Sequence, residues 1–151
     1  MAWKARLPVL AAALWWGSLS AIGFLVVPLL FQNAATPAMA GKLAAKLFSA
    51  QCWLGLACGL FVLMGARDEE GTPSLGWAGG AVAYVLLGML SALLQEFVVA
   101  PRIVARENLA AWHSAGTALY ALQWLCALVV LVKVTSTPGH SRDGGNPELP
   151  P

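Results

Sequence analysis

The sequence predicts an all-α integral membrane protein built as a bundle of four transmembrane helices. Hydrophobic residues make up 59% of the 151-residue chain and charged residues only 11%, against about 25% charged residues in a soluble domain. Four apolar runs, at about 7–31, 47–66, 75–99 and 112–134, reach the ~20 residues that a helix needs to cross the hydrocarbon. The runs are continuous and do not alternate, which excludes barrel strands. Backbone groups in lipid must pair within their own segment, which leaves the helix.

The first run carries no charge from Leu7 to Phe31. Lys4 and Arg6 precede it, and Ser18-Leu19-Ser20 resembles a small-x-small cleavage site. The run continues well past Ser20 and contains the bulky pair Trp15-Trp16, so a retained span is expected over a cleaved leader. Between Gln32 and Lys46, Thr36 can cap a helix with Pro37 at its first position. Met39, Leu43 and Leu47 then share one face and Lys42 and Lys46 another, which suits a short amphipathic helix on the membrane surface. The polar turn from Arg67 to Pro73 joins the second and third runs as an antiparallel hairpin. Residues 135–151 are rich in Gly, Pro and Ser with nothing to bury, and are expected to be disordered. The transmembrane domain is thus residues 1–134.

An internal repeat is visible. Gly17, Leu19-Ser20-Ala21 and Phe24 to Pro28 parallel Gly88, Leu90-Ser91-Ala92 and Phe97 to Pro101, if Gln95-Glu96 is an insertion. Ser49-Ala50 echoes Ser114-Ala115 more faintly. The pattern suggests two tandem helical hairpins related by an axis along the membrane normal; chance likeness of apolar sequences is the competing explanation. Small residues recur four apart at Gly55 and Gly59, at Gly76 and Gly80, and at Ala13, Gly17 and Ala21. Such stripes let helix backbones approach closely, within the chain, in a homo-oligomer or against a membrane protein partner.

Four spans place both termini on one side, with Lys4, Arg6, Arg67, Lys133 and Arg142; Lys42, Lys46, Arg102 and Arg106 lie on the other. The count is nearly tied. Lys4 and Arg6 sit tight against the first helix, which tips the expectation to cytoplasmic termini. A net charge of +2, with scattered basic residues, gives no reason to expect a nucleic-acid partner.

No Ser-His-Asp pattern, HExxH motif or phosphate-binding loop is present, so no enzyme and no catalytic residue are expected. His113 is the single histidine near a helix, one too few for bis-histidine haem. Cys52 and Cys58 fall on different helix faces, so no metal and no cofactor are expected. Cys126 completes an odd count, which rules out a full disulfide framework.

The remaining polar residues gather towards one end of the bundle. Gln95 and Glu96 close the third helix, Pro101, Arg102 and Arg106 follow, His113 opens the fourth, and Lys46 and Gln51 open the second. Ionisable groups at membrane depth are costly and suggest function. Glu96, Arg102, His113, Lys46 and Gln95 are therefore the candidate contacts for a small solute, ion or lipid. The bland alternative is an interfacial carboxylate paired with Arg102 or Lys46. Lys42, Lys46, Arg102 and Arg106 also suit anionic lipid headgroups of the bilayer. A different class of role is an accessory subunit that packs the faces of Gly55, Gly59, Gly76 and Gly80 against a partner.

Phe24 to Phe31, Ala40-Gly41-Lys42-Leu43, Lys46-Leu47-Phe48, Ala100-Pro101-Arg102-Ile103 and His113-Ser114 resemble the signature of domain-of-unknown-function family 4149, related to the eukaryotic transmembrane protein 205. The resemblance covers roughly residues 5–134. It implies a four-span membrane protein, here of a bacterial inner membrane, without an established activity. The eukaryotic relative's association with resistance to platinum drugs hints at export or trafficking. The family motif residues would be Pro28, Phe31, Gly41, Phe48, Pro101, Arg102 and His113. The connection between the third and fourth helices is much shorter here than in the eukaryotic relatives. Gln95-Glu96 stands where family members often carry Asn.

Overall fold

The computed structural model describes residues 2–66 and 80–136. Every regular element among them is helical. The first helix joins Ala2–Ala21, a π-helical turn Ile22–Val26 and Val27–Asn33. The second is Pro37–Met64. The third joins Ala81–Leu94, a second π-helical turn Gln95–Val99 and Ala100–Val104. The fourth is Leu109–Ser136. All four are long and apolar enough to cross a membrane. Each packs on its neighbour in sequence and the fourth closes on the first, making a ring. Leu14, Phe24, Trp53, Leu60, Leu90 and Leu125 point outwards and are exposed, an exterior that needs lipid to cover it.

Several boundaries differ from the sequence reading, for physical reasons. The expected surface helix is the first turns of the second spanning helix. Thr36 does cap it, accepting from the Met39 N–H at 3.2 Å, but no breaker follows, so the helix runs unbroken to Met64. Only Ala34, Ala35 and Thr36 connect the first two helices. The third helix does not stop near Val99 but passes through Pro101 to Val104. A proline ring clashes with the carbonyl four residues back and offers no N–H. The π turn just upstream absorbs the mismatch: the Ala100 N–H reaches the Gln95 carbonyl, five residues back. Pro28 is accommodated the same way, with Val27 N–H bonded to the Ile22 carbonyl. The fourth helix includes Thr135 and Ser136, placed in the tail by the sequence reading. The turn at Arg67–Pro73, Gly76 and residues 137–151 lie outside the described residues.

The third helix ends in a left-handed residue, Arg106 at φ 58°. Its N–H bonds the Ile103 carbonyl and the Glu107 N–H bonds the Arg102 carbonyl, both at 3.1 Å. This paired closure satisfies carbonyls that the helix end leaves over.

The π turns revise the repeat. They begin at Ile22 and Gln95, and prolines follow at 28 and 101, so both features recur at a spacing of 73 residues. Gln95-Glu96 is therefore no insertion; it stands in register with Ile22-Gly23. Ser18 aligns with Ser91. The second and fourth helices are each 28 residues long, and Gln51 and Gln123 are each the fifteenth. That register replaces the Ser49/Ser114 echo.

Gly55 and Gly59 do serve close packing, but inside the chain, where both are buried. A Cβ at Gly55 would stand 2.9 Å from Trp15 Nε1, and one at Gly59 would stand 2.7 Å from Met89 Sδ. At Gly88 a Cβ would stand 2.8 Å from Trp15 Cη2. The fully buried Trp15 indole thus spans the bundle centre, one edge against the second helix and the other against the third. Gly80 caps the third helix at φ 83°, and among the described residues a Cβ there would meet nothing within 4 Å.

Candidate functional site

Beside Trp15, the middle of the bundle holds a layer of polar side chains. Glu96 is the sixteenth residue of the 24-residue segment Ala81–Val104. At 1.5 Å per residue it lies ~12 Å below the helix end. Because the helix continues past Pro101, Glu96 is not at its closing end, as the sequence suggested, but about two turns inside it. The expected ion pair with Arg102 or Lys46 is not made. Instead, Ser49 Oγ donates to Glu96 Oε1 at 2.7 Å. Ser49 and Glu96 come from adjacent helices, so this bond ties the two hairpins together.

A small cavity opens beside Glu96. Phe48, Gln51 and Cys52 of the second helix line it, with Ala92, Gln95 and Glu96 of the third and Tyr120 and Gln123 of the fourth. The room left for a water centre is ≈ 10 Å³, about what one water requires. Gln51 is 3% exposed and Gln123 3%. Gln51 Nε2 donates to Ser18 Oγ at 2.9 Å, and Ser18 Oγ donates to the Trp15 carbonyl at 2.9 Å. The one O–H of Ser18 is committed to the Trp15 carbonyl, so Ser18 Oγ can only accept from Gln51 and the amide orientation is fixed. Gln51 Oε1 is left without a partner, and so are Gln95 Oε1, Gln123 Nε2 and Trp15 Nε1. Each such group, buried in a low-dielectric interior, costs about 1–3 kcal/mol.

The first helix contributes differently. A Cβ at Gly23 would stand 2.9 Å from Tyr120 Cε1, so the absent side chain makes room for that ring. Tyr120 Oη donates to the Leu19 carbonyl at 2.7 Å. Phe48 stacks edge-on against Tyr120, ring centres 5.4 Å apart. These two aromatics, in register across the repeat, cover the cavity towards the short connections. In the third helix the residue matching Leu19 is Ala92, whose carbonyl receives the Cys52 thiol at 3.5 Å. One half of the repeat is thus plugged by an aromatic ring, and the other keeps Gln95 and Glu96 at the wall of the small cavity.

Arg102, His113 and Lys46 are not brought to this chamber. Arg102 is exposed, its guanidinium 4.3 Å from the centre of the Trp112 ring. His113 and Lys46 are exposed. Among the motif residues, Pro28 and Pro101 follow the π turns, Phe31 is exposed, and Gly41 has nothing near a would-be Cβ. Sequence reasoning missed Gln123, Tyr120, Ser18 and the part played by Gln51. The matching glutamines at the centre of the second and fourth runs were the available signal. Separately, an open apolar groove of ≈ 550 Å³ runs between Val26, Leu29 and Leu30 of the first helix and Met39 and Leu43 of the second.

A match to a domain of unknown function, family 4149, covers residues 10–111. The chain belongs to that family. The matched region includes both π turns, both prolines and Glu96, and stops just inside the fourth helix. Gln123 and Tyr120 therefore lie beyond the family's matched region. No curated protein and no solved structure matches the chain.

Proposed function

We propose that this family member is a membrane-embedded binding module that takes, and in moving it would carry, one small polar solute or ion in the mid-bundle chamber. One observation carries the reading: a carboxylate about two turns inside a spanning helix lines a water-sized space with unpartnered amide groups around it. Membrane helices retain such groups where something polar is bound or moved. The test is native mass spectrometry of the protein released from lipid nanodiscs. A reproducible bound species, lost in Glu96→Gln and kept in Arg102→Ala, supports the reading. A bare protein, with no species lost in Glu96→Gln, ends it.

Two other readings keep some support. Exposed Lys42 and Lys46, on the helix that gives Met39 and Leu43 to the apolar groove, suit an anionic lipid headgroup. An accessory-subunit or homo-oligomer role loses the Gly55/Gly59 face, which is used inside the chain. It would have to use the outer stripe around Ala13 and Gly17, where Gly17 has open space. Kinship with transmembrane protein 205, a bacterial inner membrane and cytoplasmic termini belong to the same reading. No enzymatic step is proposed.

A further inference from the structure

We propose that the chamber's ligand is a single small monovalent cation, held largely dehydrated by oxygen atoms. The inference rests on the binding reading above and names its substrate class.

Charge comes first. Among the described residues no cationic side chain pairs with Glu96; its partner is a neutral hydroxyl. The titratable groups facing it are Cys52 of the second helix and Tyr120 of the fourth. Neither can become positive, and the first helix carries no charge between Leu7 and Phe31. A lone carboxylate at this depth must be neutralised, by a proton or by a bound cation. One negative charge balances one positive charge, which selects a monovalent ion over a divalent one.

The donor set comes next. Gln51 Oε1 and Gln95 Oε1 are buried acceptors without partners. The Ala92 carbonyl, also at the cavity wall, shares the Gln95 N–H with the Ser91 carbonyl, and its further partner is a thiol at 3.5 Å. With the carboxylate these make an all-oxygen set, the kind that hard cations take. Gln95 and Glu96 open the π turn Gln95–Val99, and Ala92 lies in the α-helix just before it. Irregular backbone is tolerated in membranes where it lines a cavity. Size agrees, since room for one water centre admits one ion without its hydration shell. The unpaired donors, Gln123 Nε2 and Trp15 Nε1, lie beside Gly55, and Gln123 also lines the cavity.

The test is thermal unfolding of the full chain in nanodiscs, in sodium, potassium, lithium or choline chloride at equal ionic strength. Choline is too large for the chamber and serves as the blank. In alkaline buffer at least one of the three alkali ions is expected to raise the midpoint by a few degrees over choline. The rise should vanish in Glu96→Gln. Gln51→Leu, which keeps the carboxylate, should reduce it. Equal midpoints in all four salts overturn the inference. So does a rise that survives in Glu96→Gln. If salts have no effect but mass spectrometry still shows a species lost in Glu96→Gln, the cation is wrong and the binding reading stands. If neither responds, both fall.

Discussion

Gly88→Ala and Gly55→Ala push on opposite edges of one indole. A Cβ at Gly88 would stand 2.8 Å from Trp15 Cη2 and 3.0 Å from Cζ2; one at Gly55 would stand 2.9 Å from Nε1 and 3.1 Å from Gln123 Nε2. Ordinary contact begins near 3.4 Å, so each methyl needs a shift of several tenths of an ångström. The ring has no exposed surface to retreat to, and moving away from one glycine drives it at the other. Overpacking of this kind costs about 1–3 kcal/mol. Alanine also favours the helix over glycine by about 1 kcal/mol, so the control is Gly17→Ala, a helical glycine with nothing within 4 Å. The difference between Gly88→Ala and Gly17→Ala cancels that gain and isolates the packing cost. Reversible unfolding in mixed detergent should show that difference as about 1–3 kcal/mol. The double variant should cost more than the sum of the two, by at least about 0.5 kcal/mol, because both methyls compress the same ring. A difference inside about 0.5 kcal/mol, or strict additivity, would refute the picture of Trp15 wedged between two helices.

Other consequences can be checked with the same assay. Thr36→Ala removes the cap on the Met39 N–H and should lower stability by about 1 kcal/mol, with Thr36→Ser restoring it. Tyr120→Phe leaves the Leu19 carbonyl without its 2.7 Å donor; a loss of about 0.5–1.5 kcal/mol is expected, as for other hydrogen bonds between membrane helices. Arg102→Ala and His113→Ala alter outward-facing side chains, so the alkali-cation shift of the unfolding midpoint should be unchanged in both.

The fold class was open to inspection because composition alone excludes a water-facing surface. Helix boundaries were less so. Pro101 reads as a terminator, and a five-residue bonding pattern that absorbs a proline has no sequence signature apart from its second occurrence before Pro28. Reading Gln95-Glu96 as an insertion hid that recurrence. The surface helix was inferred from the spacing of Lys42 and Lys46, yet nothing between Lys46 and Leu47 could break the helix, so a contiguous span won.

The site was half legible. Glu96 stood out as a lone carboxylate in an apolar run. Its neighbours were guessed from nearness to the membrane face, which collected Arg102, His113 and Lys46 although all three point outwards. Gln51 and Gln123 line one chamber only once the register of the second and fourth helices, which run parallel, is known. Tyr120 reaches the first helix because Gly23 lacks a side chain, a long-range fit that no local pattern displays.

Infrared difference spectroscopy of the Glu96 carboxyl tests the central claim most directly. The protein in lipid is held in choline chloride, and the alkali chloride that raised the unfolding midpoint is then added. Cation binding at Glu96 should shift the carboxyl bands of that group, with the change absent in Glu96→Gln. A carboxyl signal indifferent to every alkali ion, or the same difference spectrum in Glu96→Gln, would contradict it.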